Sequence, residues 1–173
     1  MKTKSLFFSI VAIIALSGGI FAQRLSPTDQ NSNLDPMPEV SLPDLSGKLR
    51  NLSAWQGKVL IVNFWATWCP PCLKEIPEFI ALQKELSETG LQFIGIALEE
   101  KLPVDEYLTF IDINYPILIA GDAGIALSTQ FGNRTGAIPF TVVIDRTGDI
   151  VHRHSGEITR KKLLEIVTPL LRK

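Results

Sequence analysis

The sequence predicts an α/β domain in which a mixed central sheet is flanked by helices. Two apolar segments, 58–66 and 91–98, are rich in Val and Ile, which is typical of strands buried on both faces. Between them, apolar residues recur at helical spacing, giving the order strand–helix–strand. A hairpin and an amphipathic helix close the chain, and this order indicates a mixed sheet.

The first 22 residues have the layout of an export signal. Lys2 and Lys4 precede an uncharged segment, 6–22, that ends in alanine. Cleavage after Ala22 and retention as an N-terminal membrane anchor are both open, and either places the following chain outside the cytoplasm. Residues 23–36 are polar and contain turn formers, so we predict a flexible tether followed by one folded domain, 37–173.

The remaining elements follow from turn residues and periodicity. A short hairpin is predicted around Ser46-Gly47, and Gly90 is expected to end the helix that follows the first buried strand. Because the residue before a proline avoids helical backbone angles, Pro70 is not expected to be helical, and this helix is predicted to begin at Pro71. The other predicted elements are helices at 103–113, 122–131 and 159–171, a strand at 115–120, and hairpin strands at 139–145 and 149–155.

The charge balance argues against nucleic-acid binding. The chain has 17 basic and 18 acidic residues and a net charge of −1, without a dense basic cluster.

Both cysteines lie in the segment "WCPPC", residues 68–72, and three roles are open to them. A crosslink that closes so short a loop removes little entropy from the unfolded chain, so it is a poor structural staple. A zinc site of Cys69, Cys72, His152 and His154 has enough ligands, but the histidines are spaced H-x-H rather than H-x₃₋₅-H. We therefore predict no metal site.

A redox role has a physical mechanism. Cys69 falls between a buried strand and a helix, where unsatisfied N–H groups and the helix dipole stabilise a thiolate. Cys72 lies one helical turn further on, close enough to attack a mixed disulfide. Cys69 is thus the predicted nucleophile and Cys72 the resolving thiol.

The segment "VNFWATWCPPCLKEIPEF" resembles the active-site segment of the thioredoxin superfamily. It is more closely similar to the extracytoplasmic TlpA/ResA-like thiol–disulfide oxidoreductases, which include reductants of cytochrome c maturation. The resemblance runs from about Met37 to the C-terminus. It implies a thioredoxin-like fold with an N-terminal β-hairpin and a central insertion after the second buried strand.

The resemblance also implies roles for single residues. Pro77 matches a helix-kinking proline, and Ile138-Pro139 matches the loop whose cis-proline lies against the dithiol and contacts substrate. Phe140 departs from the threonine that the family often has after this proline. Trp68 is expected either to shield the dithiol and shape the contact surface or simply to pack into the fold.

Proton transfer is the point at which this chain differs from thioredoxin. The buried aspartate of thioredoxins corresponds here to Asn63, which cannot titrate. In ResA-like relatives an acidic residue three positions after the second cysteine takes its place, and here that residue is Glu75. The resemblance implies that Glu75 exchanges protons with Cys72. The alternative is an ordinary surface glutamate in the first helical turn, where it favours the helix dipole.

The resulting prediction is an exported enzyme that reduces protein disulfides with its Cys69–Cys72 dithiol and no other cofactor. Its predicted partners are protein thiols or disulfides and a membrane donor of the disulfide-reductant transporter type, on the periplasmic or outer side of the cytoplasmic membrane. A peroxiredoxin-like peroxidase is the second class, although Val62 and Ala66 replace the peroxide-activating residues of P-x-x-x-T-x-x-C. A metal- or haem-handling chaperone is the third.

Overall fold

The computed structural model describes residues 35–172, and within them the predicted α/β architecture is present. The strands are β1 (Asp35–Pro36), β2 (Ser41–Pro43), β3 (Leu49–Asn51), β4 (Val59–Trp65), β5 (Leu91–Ala97), β6 (Ile117–Ile119), β7 (Phe140–Ile144) and β8 (Asp149–Ser155). The α-helices are α1 (Pro70–Leu86), α2 (Lys101–Leu108), α3 (Gly124–Gln130) and α4 (Arg160–Leu171). The predicted export segment, and the predicted tether as far as residue 34, lie outside the described residues.

The main sheet has six strands in the order β1-β8-β7-β4-β5-β6. The pairs β4–β5 and β5–β6 are parallel, whereas β4–β7, β7–β8 and β8–β1 are antiparallel. The predicted mixed sheet is therefore confirmed. β2 and β3 form the predicted hairpin, and a bridge between Asp44 and Leu118 attaches it to the β6 edge.

The central strand β4 is buried along its whole length and feeds two cores. Its side chains alternate between the faces of the sheet. Val59, Ile61 and Trp65 pack with α1, α2 and α4, and the intervening apolar residues pack with α3 on the opposite face. Asn63 belongs to the first series, so the only polar side chain of this strand points towards α1.

Helix α1 begins one residue earlier than predicted. Cys69 is its N-cap, with extended backbone angles (φ −104°, ψ 97°), and the helix starts at Pro70. The residue before a proline avoids the helical region, and the N-cap supplies that extended residue. A short 3₁₀ helix, Ser87–Thr89, then leads to Gly90, whose φ of 93° ends the helical segment as predicted.

Helix α2 ends well before the predicted residue 113. The Thr109 and Phe110 N–H groups bond to carbonyls three residues back, so the last turn tightens and stops. Ile111 and Ile113 instead pack against the core from irregular chain. Their spacing of two residues suits extended rather than helical backbone, which is why the helical prediction was wrong here.

The short strand β1 pairs with β8, so the sheet includes two residues that the sequence assigns to the tether. Asp35 lies opposite Ile150, and its carboxylate is 2.8 Å from the Arg153 guanidinium. Two paired residues carry too little hydrophobic periodicity to be recognised from sequence.

Arg146, in the β7–β8 turn, joins three parts of the chain at the end of the sheet remote from the cysteines. Its guanidinium donates to the carbonyls of Gly57 at 3.3 Å, Thr89 at 3.1 Å and Leu171 at 3.4 Å.

We expect Arg146→Met to lower the free energy of unfolding by about 2 kcal/mol, because these carbonyls lose a charged donor. Guanidinium denaturation of the oxidised protein measures the effect. The exposed control Lys161→Met should change it by less than about 0.5 kcal/mol, and equal losses would contradict the assignment.

Candidate active site

The two cysteines lie where the central strand passes into helix α1. They form a disulfide with their Cα atoms 5.3 Å apart. The Cys69 sulfur also accepts the Cys72 N–H at 3.3 Å, so sulfur takes the place of the oxygen that usually caps a helix. Cys69 is 4% exposed and Cys72 is 0% exposed. The N-terminus of α1 thus directs a backbone N–H at the sulfur that is nearer the surface.

The Ile138-Pro139 peptide bond is cis, as the resemblance implied. β7 starts at Phe140, which pairs with Phe64 near the end of β4. Because these strands are antiparallel, the start of β7 lies beside the end of β4. Pro139 is therefore at the same end of the sheet as the segment that leads from β4 to Cys69. The Pro139 carbonyl accepts the Gly156 N–H at 2.8 Å, which ties this loop to the end of β8.

Trp68 is 63% exposed and precedes Cys69 directly. Pro70 and Pro71 are exposed as well. The disulfide is therefore bordered by apolar groups that no other part of the described chain covers. This exposure fits the predicted contact surface, and it does not fit the packing of Trp68 into the core.

Glu99 is a site residue that was not predicted from the sequence. Its carboxylate accepts the Thr67 backbone N–H at 2.5 Å and the Thr67 hydroxyl at 2.9 Å. The parallel register of β4 and β5 explains the contact. Trp65 pairs with Ala97, and Thr67 and Glu99 each lie two residues further along their own chain segment. That register was the available signal, but it requires knowing which strands pair. Glu99 anchors the loop that carries Trp68.

Releasing this loop should slow the reaction of the dithiol. We expect Glu99→Ala to reduce the rate of exchange with a disulfide peptide by up to about tenfold, because Trp68 and Cys69 lose a fixed position. Stopped-flow tryptophan fluorescence follows the rate. The neighbouring exposed residue offers a matched control, Glu100→Ala, which should leave the rate unchanged. Equal rates in wild type and Glu99→Ala would remove the positioning role.

Glu75 is buried on helix α1, one turn after Cys72, with 2% of its surface exposed. Its Oε1 accepts the Asn63 amide N–H at 2.7 Å, and its Oε2 accepts the Ile158 backbone N–H at 3.1 Å. Burial raises the pKa of Glu75 from an ordinary 4.5 to about 7, although both hydrogen bonds act in the opposite direction. The nearby charge of Glu157 adds to the increase. The carboxyl can thus take up or release a proton near neutral pH.

Asn63 and Glu75 were predicted as separate features, and the structure brings them into direct contact. Asn63 also donates to the Thr141 hydroxyl at 3.1 Å, across the β4–β7 pair. Thr141 was not predicted as part of the site, because its place depends on which strand lies beside β4. The three side chains form one buried polar cluster.

The histidines lie on β8. His152 and His154 pair with Val143 and Thr141, and the His154 Nε2 lies 3.1 Å from the Glu157 carbonyl oxygen. Among residues 35–172, no group of three or more His, Cys, Asp or Glu side chains is placed to hold a metal ion. In the same range, no helix is long and apolar enough to cross a membrane.

Fold and site together define a thioredoxin-fold protein with a disulfide at the N-terminus of a helix. The family model described as Redoxin matches residues 33–167. Thiol:disulfide interchange protein DsbE of Vibrio cholerae is 33% identical over 186 residues, which cover 100% of this chain and 96% of that protein. Thiol-disulfide oxidoreductase ResA of Halalkalibacterium halodurans is 33% identical over 132 residues, 74% of this chain and 73% of the relative.

A solved structure gives the same result for the fold. The crystal structure of a thiol:disulfide interchange protein of the thioredoxin family from Chlorobium tepidum has a TM-score of 0.71 and 33% identity. The match covers 82% of this chain and 99% of that one. The chain belongs to the redoxin family, as a TlpA/ResA-like thiol–disulfide oxidoreductase of the thioredoxin superfamily.

Proposed function

We propose that this chain is an extracytoplasmic reductase of protein disulfides that works through Cys69 and Cys72. The observation that carries the proposal is a disulfide at the N-cap of α1, one helical turn from a buried carboxyl whose pKa is about 7. Such a site combines a stabilised thiolate with a group that can move a proton.

In the reducing direction, the Cys69 thiolate attacks one sulfur of a substrate disulfide. The substrate S–S bond breaks, one substrate thiolate leaves, and a mixed disulfide forms. The Cys72 thiolate then attacks the Cys69 sulfur, which releases the second substrate thiolate and forms the Cys69–Cys72 disulfide. Two electrons have passed to the substrate, and no further cofactor is needed. The disulfide seen in the structure is the product state of this cycle.

Glu75 is the proposed proton acceptor for Cys72 in this direction and its donor in the return step. Cys72 is fully buried, so its proton cannot pass directly to bulk water. A carboxyl with a pKa of about 7 divides its time between both protonation states at neutral pH, which suits this task. The thiol proton moves to the carboxylate as Cys72 becomes the attacking thiolate.

Trp68, Ile138 and Pro139 form the proposed substrate contact. Trp68 is exposed and Ile138 is half-buried, and both flank the strand ends that carry the dithiol and the cis-proline. An apolar border of this kind accommodates an unfolded cysteine-containing segment better than a charged one.

The proposed location and partners are supported by the N-terminal sequence and by the relatives. Lys2, Lys4 and the uncharged segment 6–22 support export, with the domain either released or held at the membrane. Because the cytoplasm is then out of reach, the proposed source of electrons is a membrane donor that re-reduces the Cys69–Cys72 disulfide. Apocytochrome c cysteines are the proposed substrates, together with misoxidised envelope proteins.

The direction of the reaction can be tested by equilibrium titration of the Cys69–Cys72 pair against dithiothreitol. We expect a potential near that of thioredoxin, about −270 mV, because a reductase must give electrons to its substrates. A potential near about −120 mV, typical of a strong oxidant, would contradict the reducing direction. The Cys69→Ser/Cys72→Ser double variant supplies the baseline.

A further inference from the structure

Asn63, Glu75 and Thr141 form a closed polar cluster between the sheet and helix α1. They are 3%, 2% and 0% exposed. The Asn63 Nδ2 lies 2.7 Å from Glu75 Oε1 and 3.1 Å from Thr141 Oγ1. Glu75 Oε2 is separately occupied by the Ile158 N–H at 3.1 Å. Both hydrogens of the Asn63 amide are therefore used within the cluster.

The backbone holds this cluster in place. Asn63 and Thr141 are cross-strand partners on β4 and β7, in the middle of the sheet, and Glu75 projects from the helix packed over them. The Asn63 amide cannot move away from Glu75 without disturbing the central strand. It can still rotate about its terminal torsion, because the two ends of a primary amide have nearly the same shape.

The contacts in the structure suit an ionised Glu75. A carboxylate only accepts hydrogen bonds, and here each oxygen faces an N–H donor. The Thr141 hydroxyl acts as an acceptor for the second Asn63 hydrogen. Within these three contacts, each N–H donor faces an oxygen acceptor.

Protonation of Glu75 adds an O–H donor at one of the two carboxyl oxygens. Oε2 faces the Ile158 N–H, so the added proton belongs on Oε1. An Oε1–H group directed at Asn63 would then meet the amide NH₂, donor against donor. Buried donors without acceptors are costly, so the cluster has to rearrange or resist the proton.

We propose that Asn63 is a positioning residue whose amide rotates by about 180° when Glu75 gains or loses its proton. In the acid form, the Asn63 carbonyl accepts from Glu75 Oε1–H and from Thr141 Oγ–H. In the ionised form, the Asn63 NH₂ donates to both. The Thr141 hydroxyl reverses between donor and acceptor, and it can do so because a hydroxyl serves as either. No covalent bond changes except the O–H bond of Glu75.

This inference rests on the proposed proton transfer by Glu75. It gives a reason for asparagine at position 63, where thioredoxins have a buried aspartate. Aspartate at position 63 would be a second titrating group beside Glu75, and the two would share protons. Asparagine instead leaves one titrating carboxyl in the cluster and follows its state. With the amide rotated, proton uptake leaves the Glu75 Oε1–H paired with the Asn63 carbonyl oxygen.

Other charged or titratable groups also face the cluster. From the loop before α4, Glu157 lies close enough to raise the pKa of Glu75, and it is paired with Lys74 at 2.8 Å. Before β6, Tyr115 is buried, and burial raises its pKa above the ordinary range, with the charge of Glu75 adding to the effect. On β8, His154 is the cross-strand partner of Thr141. Because of this position, His154 needs a control variant.

The test is a nuclear magnetic resonance titration of the full, oxidised, ¹⁵N,¹³C-labelled chain between about pH 5 and pH 9. We expect Overhauser contacts between the Asn63 NH₂ and the Thr141 side chain above the Glu75 midpoint, and their loss below it. The Asn63 ¹⁵N shift should have the same midpoint as the Glu75 carboxyl carbon. An amide whose contacts persist while Glu75 titrates would overturn the proposal.

Three variants separate the causes. Glu75→Gln should abolish the Asn63 transition, whereas His154→Gln should leave it; the reverse pattern would overturn the proposal. Asn63→Leu should raise the proton affinity of Glu75 by about tenfold, because the ionised carboxyl loses the stronger hydrogen bond.

The outcome is independent of the proposed reductase activity, since no substrate is present. If the amide follows Glu75 but Glu75→Gln leaves the pH profile of disulfide exchange unchanged, the proposed proton transfer fails and the rotation stands. If the profile changes while the amide stays static, the proton transfer stands and the rotation fails.

Discussion

Cys72→Ser is expected to accumulate covalent adducts with substrate proteins through Cys69. Without a thiolate at position 72, nothing within the site attacks the mixed disulfide, so the intermediate persists. The rate of disulfide turnover should fall by at least about 10³-fold, because Cys72 and Cys69 act together and neither completes the cycle alone. Non-reducing electrophoresis of alkylated envelope extracts detects the adducts.

The matched variant Cys69→Ser should trap no more adduct than the double variant. The physical reason is access, because the Cys72 sulfur is 0% exposed and lies one turn inside the helix. Cys69 lies at the N-cap, between exposed Trp68 and exposed Pro70. Equal trapping by the two single variants would show that the assigned roles of nucleophile and resolving thiol are wrong.

Glu75 should make the protein less stable as the pH rises through neutrality. Its pKa is about 7 in the folded protein against an ordinary 4.5. Below 4.5 the carboxyl is protonated in both states, and its contribution to stability is fully present. Between 4.5 and 7 the unfolded chain releases the proton first, so the contribution is progressively lost. The difference corresponds to about 3 kcal/mol of unfolding free energy.

Glu75→Gln removes this dependence, since glutamine does not titrate. The free energy of unfolding of the variant relative to wild type should therefore increase by about 3 kcal/mol between about pH 4 and pH 8. Guanidinium denaturation of the oxidised proteins at several pH values measures it. Glu88→Gln, at an exposed glutamate just after the same helix, is the control and should run parallel to wild type. A Glu75→Gln curve that also runs parallel would contradict the raised pKa.

Elements with strong periodicity could be predicted from the sequence. β4 and β5 were recognised because an unbroken apolar run has few alternatives to a buried strand. Helix α1 and its stop at Gly90 followed from apolar spacing and from a glycine that can adopt positive φ. Prediction failed just after α2, where residues 111–113 pack against the core from irregular chain, and at β1, which is only two residues long.

The site shows the same division. Cys69 and Cys72 were found because their spacing and their position after a buried strand are local features. Glu75 was suggested by resemblance alone. Its burial and its raised pKa depend on tertiary contacts, including the loop before α4, which the sequence does not reveal. Glu99 was not found at all, because its contact with Thr67 depends on strand register.

The order of residues alone is enough to specify a dithiol at the start of a helix in an α/β domain. Capping, periodicity and the spacing of the two cysteines act over a few residues, so no distant contact is needed. The surroundings of the dithiol depend instead on tertiary structure. Glu75 and Thr141 lie 12 and 78 residues from Asn63 along the chain, and helix packing and strand pairing bring the three into one cluster. Desolvation is a property of that packing, and it turns an ordinary glutamate into a group that exchanges protons near neutral pH.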